Sequence, residues 1–138
     1  MSKGSFVVLC LMLAAALPVT AEAGQRHRHH RHSAGSTSTA CLTSAARNLL
    51  AKIRNHFGNV QIVSTCRPGA TIAGTNRASK HASGQAIDFR VPGRKREVVR
   101  WLIANDRMGG IMTYSDMDHI HVDVGPRFVA LNRPSGRT

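Results

Sequence analysis

Two short segments of the sequence carry histidine and aspartate side chains at spacings that suit a metal ion. In residues 79–88, His81 is followed by Asp88, and residues 118–123 read Asp-His-Ile-His-Val-Asp. Two imidazoles and one carboxylate can hold a catalytic zinc ion and leave the fourth tetrahedral position open for water. To form such a site, the chain has to bring a loop with His81, a strand with Asp88 and a strand with His121 to one point. This requirement constrains the fold more than any other feature.

Either motif alone is common and is also compatible with a surface histidine, a carboxylate beside a turn and a half-exposed strand. Their joint occurrence favours a metal site. Glycine and alanine between His81 and Asp88 add to it, because small residues let a loop pass close to an ion. His119 and His121 would face the same way in a regular strand, with Cα atoms about 6.6 Å apart. One imidazole can then bind the metal while the other stays near the bound water.

Residues 1–23 have the pattern of a secretory signal peptide. Lys3 supplies the positive start, residues 6–17 are an unbroken apolar run, and Ala21 and Ala23 are the small residues of a cleavage point before Gly24. The apolar run is shorter than the roughly 20 residues that a membrane-spanning helix needs. We expect an exported protein, periplasmic or secreted, without stable membrane insertion.

The mature chain would keep two cysteines, Cys41 and Cys66. In an oxidising compartment an even number of cysteines favours a disulfide. Such a bond would stabilise a small domain by roughly 3 kcal/mol. Two buried free thiols are the alternative.

The chain is strongly basic, with a formal net charge of +12 at pH 7. Such a charge attracts polyanions by long-range forces, whether nucleic acid, anionic membrane or an acidic wall polymer. Export argues against a chromosomal partner. A single Trp and a single Tyr do not provide the aromatic platform of a single-strand binder. No nucleic-acid partner is expected.

Composition divides the mature chain into three parts. Residues 24–40 are rich in His and Arg without apolar periodicity, which predicts a disordered arm. This arm is either a solvated basic segment or a collector of metal ions through its histidines. Residues 41–130 form the predicted folded domain, which carries both metal motifs, and residues 131–138 a basic tail. A monomer is expected.

The folded part shows alternating helical and strand patterns. Helical spacing of apolar residues predicts a helix that begins at Thr43 or Ser44 and ends at Gly58, and a second helix over residues 95–106. Strands are predicted at residues 60–66, 86–91, 111–114 and 120–124, with a polar loop at 69–83. This order predicts an α+β fold with a small, mostly antiparallel sheet and flanking helices.

The first metal motif also carries a family resemblance. Ser79, His81, Gly84, Ala86 and Asp88 match the Ser-x-His-x-x-Gly-x-Ala-x-Asp motif of the zinc D-Ala-D-Ala carboxypeptidase family. That family is related to lysostaphin-type endopeptidases and hedgehog signalling domains. Residues 121–126 resemble the last ligand segment of its murein endopeptidase branch. The resemblance covers about residues 60–126 and implies a hedgehog/D-Ala-D-Ala-peptidase-like fold.

The resemblance implies that His81, Asp88 and His121 hold Zn²⁺. It also implies a role for Arg67, which follows a strand as the family's arginine does. Its guanidinium could bind a substrate carboxylate or a developing oxyanion. A salt bridge at a strand end is the alternative for Arg67.

Two residues compete for the role of general base. Some family members use a carboxylate three positions before the last ligand, here Asp118, and others a histidine two positions before it, here His119. Strand alternation favours His119, because it puts this residue on the face of His121. If the strand starts only at His119, a turn could instead swing Asp118 inward.

The implied activity is zinc-dependent hydrolysis of amide bonds in peptidoglycan stem peptides, by an endopeptidase or a D-Ala-D-Ala carboxypeptidase. The alternative is a non-catalytic, zinc-stabilised cell-wall-binding domain, as hedgehog domains illustrate. A weaker option is a cationic wall-binding or antimicrobial protein that acts through the arm. Asp118, His119 and Arg67 favour the enzyme, since a structural zinc site does not need them.

Overall fold

The structure is a computed structural model that describes residues 36–107 and 109–135. In chain order its elements are helix α1, strand β1, a short 3₁₀ helix, strand β2, helix α2 and strands β3, β4 and β5. Their bounds are α1 Ser44–Phe57, β1 Gln61–Ser64, the 3₁₀ helix Lys80–Ser83, β2 Ala86–Arg90, α2 Lys95–Asn105, β3 Gly110–Tyr114, β4 Ile120–Asp123 and β5 Phe128–Arg133.

The five strands form one sheet in the order β1-β2-β4-β3-β5. Every neighbouring pair is antiparallel except β3 and β5, which are parallel. The predicted α+β fold with a mostly antiparallel sheet is confirmed. Neither helix among the described residues is long and apolar enough to cross a membrane.

Local sequence explains where α1 begins and ends. The Thr43 side chain accepts a hydrogen bond from the backbone N–H of Ala46, which satisfies a donor that the first turn leaves free. At the other end Gly58 has a φ of 72°, a conformation that only glycine adopts without strain. Between these caps the apolar side chains recur at helical spacing and are buried, namely Ala46, Leu49, Leu50, Ile53 and Phe57.

The sheet has one apolar face and one polar face. Ile87 and Phe89 of β2 and Ile120 and Val122 of β4 belong to the core that both helices cover. Side chains alternate along a strand, so the residues between them point to the other face. Asp88 and His121 therefore lie opposite the helices, as the pattern around Asp88 predicted.

Strand β5 was not predicted, because the sequence indicated no strand after Gly125 and a basic tail from residue 131. The structure pairs Phe128–Arg133 in parallel with β3, with Ile111 opposite Val129. All residues of β5 are exposed or half-buried, so the strand lacks the alternation that marks a half-buried strand in a sequence. Its pairing depends on a distant partner that no local pattern encodes.

The predicted signal peptide lies outside the described residues. Of the predicted arm at residues 24–40, only residues 36–40 are described. The described end of the arm is attached to the domain. The backbone N–H of Ser36 donates to the carbonyl of Cys66 at 3.2 Å, and that of Thr65 donates to Ser36 at 2.6 Å. The Thr65 hydroxyl also contacts the carbonyls of Ser36 and Ser38, both at 2.7 Å. Residues 36–40 thus extend the structured part beyond the expected start at 41.

Cys41 and Cys66 form the predicted disulfide, with Cα atoms 6.3 Å apart and a sequence separation of 25. The bond ties the segment before α1 to the chain just after β1. Arg67 follows directly and leads into the loop that carries His81. The disulfide therefore anchors the N-terminal end of that loop.

Replacing Cys41 and Cys66 together by alanine is expected to lower the free energy of unfolding by about 3 kcal/mol, because the unfolded chain regains the entropy of an open loop. Urea unfolding of the oxidised protein and of the double variant measures this. Intact mass after alkylation, without reduction, serves as the check on the starting material. Two alkylated thiols in the untreated domain would refute the disulfide.

Candidate metal centre

Three potential ligands from three elements meet on the polar face of the sheet. His81 comes from the 3₁₀ helix, Asp88 from β2 and His121 from β4, and all three are buried. His81 Nε2 lies 3.1 Å from Asp88 Oδ1 and 3.2 Å from His121 Nδ1. Asp88 Oδ1 and His121 Nδ1 are 2.9 Å apart. The structure thus brings together the three residues that the sequence singled out as ligands.

Strand pairing accounts for two members of this group. Strands β2 and β4 are antiparallel neighbours, and Asp88 stands directly opposite His121 in their register. Directly opposed residues point to the same face, with Cβ atoms about 4.5–5.5 Å apart. A carboxylate and an imidazole on such a pair converge without any distortion of the backbone.

The small residues of the first motif account for the position of His81. The Ser79 hydroxyl accepts a hydrogen bond from the backbone N–H of His81 at 3.3 Å and caps the 3₁₀ helix. Gly84 ends that helix with a φ of 66°, and a Cβ there would collide with the carbonyl oxygen of Cys41. Serine and glycine therefore set the turn that holds His81 over Asp88.

The outer nitrogens of both imidazoles face oxygen atoms. His81 Nδ1 contacts the carbonyl oxygen of Thr65, and His121 Nε2 lies 3.5 Å from Asp123 Oδ2. A carbonyl oxygen can only accept a hydrogen bond, so Nδ1 of His81 carries a proton. The inner Nε2 then offers its lone pair to a metal ion, or donates to Asp88 when His81 is an imidazolium. Asp123 is held by the backbone N–H groups of Gly110 at 3.1 Å and Gly125 at 2.7 Å. Outer partners of this kind orient metal-binding histidines.

Charge is concentrated between the inner atoms. Burial raises the pKa of Asp88, but hydrogen bonds and charges from both histidines hold that pKa well below its usual range. Burial lowers the pKa of His121, but the Asp123 and Asp88 carboxylates outweigh it and raise that pKa to about 9. Two carboxylates thus favour positive charge at this point, either as a proton on His121 or as a metal cation.

The donor set fits zinc. Zinc bonds of 2.0–2.1 Å in a tetrahedron place neighbouring ligand atoms about 3.3 Å apart, close to the 2.9–3.2 Å separations here. A proton on His121 satisfies the Asp88 oxygen, whereas a cation can use the lone pairs of all three side chains. Two imidazoles and one carboxylate leave room for a fourth ligand.

Arg67 lies beside this group. Its Nη2 is 3.5 Å from Asp88 Oδ2, and its backbone N–H donates to the carbonyl of His81 at 3.0 Å. Its side chain is 36% exposed. Among the described residues, Arg67 Nε and Ser64 Oγ are buried without a hydrogen-bond partner. Ser64 stands opposite Asp88 in the β1–β2 register, so both unpaired atoms belong to side chains next to the Asp88 carboxylate.

His119 and Asp118 differ in their surroundings. Both precede β4, which begins at Ile120. His119 is half-buried, with its ring 5.4 Å from the Tyr114 ring. Burial lowers the pKa of His119, the charge of Asp88 raises it, and the charges of His121, Lys95 and Arg67 lower it. Charges at the candidate metal centre therefore influence the protonation of this imidazole. Asp118 is exposed and lines a small cavity with residues of the α2 N-terminal turn.

Tyr114 and Ser64 were not singled out in the sequence. Burial and the charge of Asp88 raise the pKa of Tyr114, which is half-buried beside His119. Tyr114 lies two positions after Met112, whose register partner is His121. Alternation within β3 was readable from the sequence, but the register that puts its residues beside His121 was not. Thr65 was likewise assigned only to a strand.

Comparison with known proteins agrees with this geometry. The sequence model of the peptidase M15 family matches residues 21–123, which include all three members of the metal centre and Arg67. No curated protein and no solved structure matches the chain. The family match extends over most of the chain and ends at Asp123, the last residue of β4. The chain therefore belongs to the peptidase M15 family, the zinc D-Ala-D-Ala carboxypeptidase family that its histidine and aspartate motif resembles.

Proposed function

We propose that the protein is an exported zinc peptidase that hydrolyses amide bonds in peptidoglycan stem peptides. The observation that carries this proposal is the buried His81, Asp88 and His121 group, whose inner atoms lie within 4.8 Å of one another, in a chain of a metallopeptidase family. The Cys41–Cys66 disulfide supports export. The net charge of +12 favours retention on an anionic wall.

In this proposal His81, Asp88 and His121 bind the zinc ion. Zinc in such a site polarises a carbonyl and lowers the pKa of a water molecule to about 7. Thr65 and Asp123 hold the outer nitrogens of the two imidazoles and so keep their inner nitrogens aimed at one point. This support orients the ligands before substrate binds.

His119 is the proposed general base. It takes a proton from the attacking water as the new carbon–oxygen bond forms, and donates it to the amine nitrogen as the carbon–nitrogen bond breaks. The products are a carboxylic acid and an amine. Its half-buried position against the Tyr114 ring, together with the influence of the Asp88, His121 and Arg67 charges on its pKa, supports this role.

Arg67 is proposed to bind an oxygen of the substrate. One edge of its guanidinium contacts Asp88, and the exposed part leaves donors for a carboxylate or for the oxygen of the reacting carbonyl. Its buried Nε has no partner among the described residues. The ion pair with Asp88 also fits the simpler role of a salt bridge, which we consider the alternative.

A digest of purified wall material tests the activity. Sacculi and soluble cross-linked muropeptides are incubated with the zinc-loaded protein, the His81→Ala variant serves as the blank, and the products are separated by mass. We expect new monomers, because residues 121–126 resemble the murein endopeptidase branch. Loss of one terminal alanine would identify a carboxypeptidase. Identical products from protein and blank would contradict the enzyme and favour the zinc-stabilised wall-binding domain.

A further inference from the structure

A concave surface lies on the helix side of the sheet. A groove of about 610 Å³ runs between α2 and β5, with Thr113 of β3 among its lining residues. Thr113 pairs with Ile120 on the apolar face, whereas its neighbour Met112 pairs with His121 on the polar face. The groove and the metal centre therefore lie on opposite faces of the sheet. Its volume is within the range of ligand-binding clefts.

Basic side chains line one wall of this groove. Arg96 and Arg100 are one helical turn apart, so they project from the same side of α2. Both are exposed, and neither makes a hydrogen bond or a close ion pair with another described residue, although the charge of Arg100 helps to lower the pKa of Glu97. Glu97 of the same helix is bound to Arg94 through contacts of 2.7 and 2.9 Å. The two guanidinium groups are thus available to an external anion.

A third cation is fixed in position. Lys95 Nζ donates to the carbonyl oxygens of Tyr114 at 3.1 Å and Met117 at 2.5 Å, which anchors the ammonium at the groove. An ammonium has three N–H donors, so one is left for a ligand. No described aspartate or glutamate lines the groove itself, and the nearest acidic groups, Glu97 and Asp118, line the adjoining cavity that shares Lys95, Arg96 and Arg100 with it.

The opposite wall is partly apolar. Leu131 of β5 lines this wall and is 44% exposed, and the half-buried Val99 of α2 adds apolar surface beside the basic side chains. A bare phosphate chain would gain little from these side chains. A peptide that carries both free carboxylates and methyl groups matches the cationic and the apolar wall together.

We propose that the groove between α2 and β5 binds a carboxylate-bearing stem peptide of the wall, separate from the one at the metal centre. This inference rests on the proposed function for its choice of peptide. Two contacts with one polymer make the second binding event intramolecular, which raises the overall affinity for the polymer without changing either contact. The groove thus retains the protein on the wall.

Sedimentation with purified sacculi tests the groove, in a His81→Ala background so that cleavage cannot release the protein. Arg96→Glu with Arg100→Glu is compared with Lys52→Glu and Arg54→Glu, two exposed cations of α1 that undergo the same charge change. We expect the groove variant to bind at least about tenfold more weakly than the α1 variant. Equal losses in both variants would overturn the proposal, since net charge alone would then explain binding.

Competition identifies the ligand. A soluble stem tripeptide should release the protein from sacculi, and polyphosphate or anionic vesicles at the same charge concentration should release less. Stronger release by polyphosphate or vesicles would contradict a peptide ligand.

Circular dichroism of each variant, and zinc content in the native His81 background, check the fold. If the charge reversals unfold the domain, Arg96→Gln with Arg100→Gln takes their place. Sedimentation measures binding without cleavage. Absence of products in the digest would therefore contradict the proposed activity, whereas equal sedimentation of the two charge-reversal variants would contradict only the groove.

Discussion

Replacement of His81 by alanine is expected to abolish zinc binding and amide hydrolysis together. The wild-type domain should hold about one zinc ion per chain, and the variant below about 0.2, because two remaining ligands bind a divalent ion weakly. Metal analysis is best done on a variant that lacks residues 25–32, since the histidines there could bind metal independently of the centre. Turnover of cross-linked muropeptides is measured on the same samples.

His56→Ala is the matched control for this experiment. His56 is exposed and stacks on Trp101, with ring centroids 4.7 Å apart. It belongs to α1, which contributes none of the three proposed ligands. The substitution removes an imidazole without touching the metal centre, so zinc content and turnover should stay near the wild-type values. Full zinc and full activity in the His81 variant would exclude the proposed centre. A chelator should inhibit the wild-type protein, and added zinc should restore its activity.

Short-range patterns predicted the parts of the fold that depend on nearby residues. The apolar spacing of α1 and its caps lie within one segment, and the alternation around Asp88 separates it from Ile87 and Phe89 without knowledge of the partner strand. The turn at His81 is also local, because Ser79 and Gly84 set it. These features could be predicted because each one is decided within a few residues.

Features that depend on register could not be predicted in this way. The pairing of Asp88 with His121 joins two strands far apart in sequence, and the choice of His121 over His119 as a ligand came from a family resemblance. Strand β5 has no buried face and is held by parallel pairing with β3. Thr65 supports His81 through a backbone carbonyl, which every residue possesses, so no residue type marks the position.

The two candidate bases illustrate the same limit. Alternation relates His119 to His121 only if the strand continues upstream of its first residue, and β4 begins at Ile120. The extended face nevertheless agrees with the contacts, since His119 lies against Tyr114 while Asp118 lines a cavity beside α2. A turn that swings Asp118 towards His81, Asp88 and His121 would have to remove it from that cavity.

His119→Ala is therefore expected to retain zinc and to lose turnover by a factor of about 100 to 10,000, the usual contribution of a general base. Asp118→Asn, which preserves shape and removes the charge, should stay within about threefold of the wild-type rate, because a residue outside the reaction contributes no transition-state stabilisation. Both variants are compared at equal zinc content, so that a lost ligand cannot pass for a lost base. An inactive Asp118→Asn beside a near-normal His119→Ala would reverse the assignment, and it would mean that the turn before β4 rearranges when substrate binds.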